Sequence, residues 1–206
     1  MRLRAWSGAI CCVTAGRVPL CAMAAVGLFL VPGICGAQAE KDVTAERCGV
    51  DFKKPALRVF ADATGKGPWT EFRDIRNVPD VNLDDGGAVA RAWPGSDGNI
   101  LVFVEEPGED FEIGSEYCFD KDGVLSQMRL QVRTAWGWGF REEGPVKEGA
   151  MAAATKEFFD TEKNTSIVKP DAANDIPEAL KPKLYAKTSD LPFAKFLELT
   201  KPNSAQ

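Results

Sequence analysis

Trp136, Trp138 and Phe140 occupy every second position of TAWGWGF, with glycine between them. Side chains two apart share one face of a strand, so this spacing makes a row of three rings. Such a row can receive a sugar or another flat ligand, because the ring face offers apolar contact and the indole edge a donor. It can equally be the inward face of an ordinary sheet. Parity favours the core, since Met128, Leu130, Val132 and Thr134 fall on the same face as the rings. Arg129, Gln131, Arg133 and Arg141 fall on the other. The expectation is that Trp136 and Trp138 are buried, with a ligand platform of Trp136, Trp138 and Phe140 as the alternative.

The remaining chemistry-bearing residues form weaker patterns. Asp80, Asn82 and Asp84 match positions 1, 3 and 5 of a calcium loop. Asp85 then stands where the loop needs glycine, and Arg91 where it needs a bidentate glutamate, so a solvated turn is expected. Glu105, Glu106, Glu109, Asp110, Glu142 and Glu143 crowd predicted strand ends. A glycosidase needs two carboxylates about 5–10 Å apart in a cleft, and no spacing here specifies such a pair. The chain has no histidine. Ser-His-Asp and Cys-His nucleophiles are therefore excluded, as is the commonest metal ligand. The sequence names no catalytic residue, cofactor or metal set, and the expectation is a protein that is not an enzyme.

The cysteines depend on where the chain goes. Arg2, Arg4 and Arg17 precede any acid, an apolar run follows from Val18, and Ala37 and Ala39 sit at signal-peptidase spacing. Residues 1–39 are expected to be a signal peptide cleaved after Ala39. An uncleaved anchor is the alternative. Cys35 lacks the lipobox context and is not expected to be lipidated. Four of the six cysteines leave with this leader, so Cys48 and Cys118 remain. Two cysteines in an exported chain predict a disulfide, because the compartment is oxidising. The pair would tie the N-terminal segment across the polar side of the sheet.

The mature chain from Glu40 carries 22 basic residues, the total of 25 less the leader's three, against 30 acidic ones, a net −8. Such a surface repels nucleic acid and anionic lipid. Neither is expected as a partner, and no stable membrane insertion is expected after cleavage. Asn164-Thr165-Ser166 is a glycosylation acceptor only in a eukaryotic host.

Stepping outward, the elements that must hold these residues are strands and two helices. Trp69, Phe72, Ile75 and Val78 stand three apart between Pro68 and Pro79, which predicts a helix over Pro68 to Val78. Four strand-like runs follow between Ala88 and Phe140, separated by turn clusters. Asp122-Gly123 predicts a hairpin in which Tyr117 faces Met128 and Ile113 faces Val132. Glu116 then faces Arg129 and Glu112 faces Arg133, so apolar and ionic pairs both match in one register. The last predicted strand runs unbroken to Phe140, bending at its glycines. Met151, Ala154 and Phe158 predict a helix from Pro145 to Asp160, the expected cover for the tryptophans. Beyond it the chain is Pro-rich, with one amphipathic piece carrying Leu191, Phe193, Phe196 and Leu197 after a possible Asp190 N-cap.

The expected fold is thus α+β: a four-stranded antiparallel β-meander with two helices packed on one face. Residues 40–162 form the domain, and residues 163–206 a Pro-rich C-terminal extension with a short amphipathic helix. The expected function is an exported, periplasmic or secreted, non-catalytic module of the envelope or secretome that acts through protein contact. A small-ligand or glycan-binding domain is the alternative.

Overall fold

The computed structural model describes residues 46, 48–51, 54–152, 154–174, 176–181 and 183–197. The predicted leader, its cleavage site and Cys35 lie outside them. The described residues belong to one compact unit, Glu40–Gln206.

Among the described residues ten antiparallel strands form one sheet. They are β1 Arg58–Asp62, β2 Thr70–Phe72, β3 Ala88–Pro94, β4 Ile100–Pro107, β5 Phe111–Phe119, β6 Leu125–Thr134, β7 Trp138–Lys147, β8 Ala150–Met151, β9 Thr155–Asp160 and β10 Ser166–Ile167. Their order is β10-β9-β7-β6-β5-β4-β3-β1-β2, with β8 also paired to β7. The expected α+β fold is therefore corrected: the protein is mostly β, and the meander is the middle of a larger sheet. Helical structure is slight, limited in the described domain beyond β10 to α1 (Ala194–Leu197) and three 3-10 turns.

The predicted hairpin register holds, pairing Tyr117 with Met128, Ile113 with Val132, Glu116 with Arg129 and Glu112 with Arg133. Its tip differs by one residue, because a bulge at Cys118/Phe119 sets Phe119 opposite Leu125. The Asp120 carboxylate causes the wider turn by accepting from the amides of Asp122 and Val124.

Neither predicted helix forms. In Pro68 to Val78 the chain makes β2 and a 3-10 turn, Ile75–Asn77. The three-residue spacing misled because its members serve different surfaces. Trp69 packs on Phe193, Phe72 and Val78 lie against the cluster of Val59, Ala61 and Val89, and Ile75 is exposed. Strand pairing to β1 and the Arg58–Glu71 ion pair at 2.6 Å hold this segment extended instead. The Asp74 carboxylate then accepts from Arg76, both backbone and guanidinium, and turns the chain. That contact holds Asp74 below the usual carboxylate range, at about 2.

The stretch from Pro145 to Asp160 finishes β7, turns at Glu148-Gly149 and returns as β8 and β9. Both turn residues have positive φ, 52° and 77°, as a two-residue hairpin matched to strand twist requires. Here the need of β7 for a partner outweighs the helical spacing of Met151, Ala154 and Phe158. β9 supplies that partner, setting Phe140 opposite Phe158 and Glu142 opposite Lys156.

The two faces of the sheet are unlike. One is apolar and carries Phe60, Val102, Tyr117, Met128, Leu130, Val132 and Phe140. The described C-terminal residues between Asp171 and Leu197 lie across it, burying Ala173, Leu180, Leu191, Phe193 and Leu197. The amphipathic piece thus packs on its own domain, with the Phe193 ring stacked 4.8 Å from Phe60. Asp190 caps a 3-10 turn by accepting from the Lys187 amide, rather than opening α1.

The other face is polar and self-paired. Arg91 meets Glu105 at 2.8 Å and lies over Phe103, while Arg141 lies 4.2 Å over Phe159. Those two rings rest on glycines: a Cβ at Gly114 would come within 3.1 Å of Phe103, and one at Gly139 within 2.6 Å of Phe159. At one end of this face Cys48 and Cys118 form a disulfide, with Cα atoms 5.6 Å apart, buried beside Leu101. The predicted bond therefore closes, and on the predicted side of the sheet.

Candidate functional site

The aromatic row is not one strand. After Thr134 the chain reverses through Ala135-Trp136-Gly137, so β6 and β7 form a hairpin with Val132 opposite Phe140 and Arg133 opposite Gly139. The Thr134 hydroxyl clips the turn from both sides. It donates to the Trp138 carbonyl at 2.5 Å and accepts from the Trp136 amide at 3.3 Å. Gly137, at φ 84°, completes the reversal at a conformation other residues resist.

This turn separates the three rings. Trp138 is 6% exposed and Phe140 is buried, both among Ile113, Leu130 and Val132. Trp136 is 55% exposed. Its expected burial is therefore corrected, and the reason is the turn, which lifts residue 136 off the alternating face. The ring nonetheless rests on the core, 6.0 Å from Trp138, which in turn lies 6.4 Å from Phe158. The cover over Trp138 and Phe140 is β9 and the C-terminal segment, not the predicted helix.

Two further turns brace the hairpin. The Ala135 amide donates to Asp110 at 2.8 Å, and the Thr161 amide donates to Gly137 at 3.2 Å. Arg133 donates to the Thr161 carbonyl at 2.5 Å. The Asp160 carboxylate accepts from the amides of Glu162 and Lys163, and these bonds hold it below the ordinary range. Glu109, Asp110, Glu162 and Lys163 on these turns are exposed. The result is one braced sheet end with a projecting indole among charged side chains.

The other candidates are placed as follows. Asn82 accepts from the amides of Asp84 and Asp85 and donates to the Asp85 carboxylate, which also meets Lys66 at 2.8 Å. That arrangement is a self-satisfied turn. Among the described residues no group of three or more Cys, Asp and Glu is arranged to hold a metal ion. The carboxylates are distributed over both faces: Glu105 pairs with Arg91, Glu106 with Lys183 and Glu142 with Lys156. Glu112, opposite Arg133, is pushed above the usual range, first by burial and then by Glu105, with Arg133 acting against both. Tyr117 is likewise pushed up by burial and donates to the Lys183 carbonyl at 3.0 Å.

Sequence reasoning missed Phe158 as a sheet residue and Leu180 as cover. Phe158 and Phe159 on opposite faces of TKEFFD carried the strand signal; nothing in the Pro-rich tail marked Leu180.

No protein-family model matches this chain, and no characterised protein or solved structure is significantly similar to it. Among the described residues no helix is long and apolar enough to cross a membrane.

Proposed function

We propose that the chain is an exported, non-catalytic module, periplasmic or secreted, that acts through protein contact centred on Trp136. The observation that carries this reading is an indole more than half exposed on a hydrogen-bonded, braced hairpin. A rigid tryptophan offers large contact area at little entropic cost, and residues of this type dominate the energetics of protein interfaces. The exposed charges on the adjoining turns supply the polar rim that usually surrounds such a centre. Export is supported by the basic, then apolar, then small-residue leader and by a buried disulfide, which persists in oxidising compartments.

The test compares wild type with Trp136→Ala after in-cell cross-linking and affinity recovery. Wild type retains a defined protein partner, and Trp136→Ala loses it while its urea unfolding midpoint stays near that of wild type. Equal recovery of the same partner by both would overturn the reading. The glycan alternative is favoured by the Trp136–Trp138 ring pair, tilted by 38°. Glycan binding lost in Trp136→Ala without any protein partner would favour it.

A further inference from the structure

Cations recur over the rings of this sheet, held there by carboxylates. Arg58 lies 5.5 Å from the centroid of Phe60 and donates to both oxygens of Glu71. Arg91 lies 4.8 Å over Phe103 and meets Glu105 at 2.8 Å. Lys156 lies 4.2 Å over Phe140 and meets Glu142 at 3.1 Å. A ring face is electron-rich and attracts a cation, and a carboxylate hydrogen-bonded to that cation fixes its position.

Trp136 brings a ring and carboxylates together in a different way. The Ala135 amide donates to Asp110 and the Thr161 amide to Gly137, so the residues on either side of Trp136 are fastened to the β4–β5 and β9–β10 turns. The first turn carries Glu109 and Asp110 and the second Glu162, all exposed. Lys163, also exposed, is offset by Asp160, whose carboxylate accepts from the Lys163 amide. Four carboxylates, Glu109, Asp110, Asp160 and Glu162, thus stand against one ammonium, a net −3. Arg133 and Arg141 lie over Phe159 on the opposite, polar face. The indole itself packs 6.0 Å from Trp138 of the apolar face and is 55% exposed. Among the described residues no lysine or arginine lies over it.

We infer that the Trp136 end of the sheet takes an arginine-bearing segment of its protein partner, with a guanidinium laid on the indole and held by the carboxylates of Glu109, Asp110 and Glu162. This inference rests on the protein-contact reading and names the partner's chemistry. The indole is the anchor, and the carboxylates set the sign of what lies on it. Tryptophan is the best of the rings for a cation. A planar guanidinium stacks on it while its N–H groups reach sideways to carboxylates, which a compact ammonium does less well. The arrangement repeats, between two chains, the ring, cation and carboxylate that the fold already builds at Phe60 and Phe103. The net −8 of residues 40–206 draws a basic segment in from a distance. An acidic partner meets like charge at this rim instead, which is costly.

The experiment titrates the protein, purified from its host, into fluorescently labelled peptides of alternating glycine and arginine, glycine and lysine, or glycine and glutamine, read by anisotropy at low salt. The arginine peptide binds tightest, the lysine peptide less tightly and the glutamine peptide not measurably. Trp136→Ala weakens arginine-peptide binding at least about fivefold. The rim triple Glu109→Gln, Asp110→Asn, Glu162→Gln weakens it about tenfold and flattens its salt dependence. The distant triple Asp80→Asn, Asp84→Asn, Asp122→Asn removes the same total charge from exposed turns elsewhere and changes binding little. Urea midpoints near that of wild type show that the variants are folded. Equal binding of the three peptides, no binding of the arginine peptide, or arginine-peptide binding that Trp136→Ala and the rim triple weaken no more than the distant triple does, overturns the inference. Recovery of a cellular partner that depends on Trp136 but not on the rim triple removes the arginine segment and leaves the contact reading standing.

Discussion

The two tryptophans of TAWGWGF differ by one turn, and their truncations should differ by about 2–4 kcal/mol in stability. Trp138 is buried in one cluster with Phe140, Phe158, Ala173 and Leu180, so Trp138→Ala removes a packed indole and leaves a cavity. Truncating a core aromatic costs about 3–5 kcal/mol. Trp136 keeps more than half of its surface in water and loses only its contact with Trp138. A surface truncation of this kind stays within about 1 kcal/mol. With a urea m-value of about 2 kcal/mol/M, the midpoint falls by about 1.5–2.5 M for Trp138→Ala and by less than about 0.5 M for Trp136→Ala. Urea unfolding followed by far-UV circular dichroism measures both. Equal midpoints for the two variants, or a larger loss for Trp136→Ala, would refute the assignment of the turn.

Three other outcomes follow from the same geometry. Breaking the Cys48–Cys118 bond, which closes a sequence separation of 70, removes about 4 kcal/mol on the chain-entropy model and lowers Tm by about 8–16 °C, measured by calorimetry with and without reductant. Glu112→Gln stabilises the fold at pH 7.5 and has no effect below pH 4. The folded-state pKa of Glu112 is raised, so its contribution is favourable when protonated and is lost as pH rises from about 4.5 upward, which the substitution relieves. Urea midpoints at the two pH values check it. Gly139→Ala sets a Cβ 2.4 Å from the Val132 carbonyl and 2.6 Å from the Phe159 ring, and loses about 1–3 kcal/mol in the same assay, whereas Gly149→Asn, in an open turn, loses little.

What could be foreseen divides along physical lines. Where two strands are joined locally, the sequence carries the pairing itself: Glu116 with Arg129 and Tyr117 with Met128 are found as expected, because a slipped register would set charge against apolar side chains. The disulfide was legible for a similar reason. Cys118 falls on the polar face by parity, and only Cys48 was left to join it. The errors came where local spacing and tertiary need diverge. Trp69, Phe72, Ile75 and Val78 mimic a helical stripe, yet Trp69 meets Phe193, Phe72 and Val78 meet the Val59 cluster, and Ile75 faces solvent. The Met151–Phe158 stretch also mimics one, yet the open edge of β7 recruits it as strand. The alternation from Met128 to Phe140 survives a hairpin, because the turn removes three residues and the faces resume in phase. Parity therefore could not reveal that Trp136 had left the face. The Thr134 hydroxyl and Gly137 were the available signals. The cover from the C-terminal segment was not legible at all, since Ala173, Ile176 and Leu180 acquire meaning only from the aromatic patch beneath them.

The measurement that bears most directly on the proposed role is site-specific photo-cross-linking in the native host. A photoreactive residue is placed at position 136, on the β6–β7 turn, and in a second strain at position 124, on the β5–β6 turn at the other end of the sheet. Val124 is 41% exposed, so both probes are accessible. The account predicts a discrete protein adduct from position 136 in the extracytoplasmic fraction and none of that mass from position 124. Adducts of the same pattern from both positions, or none from position 136, would contradict it.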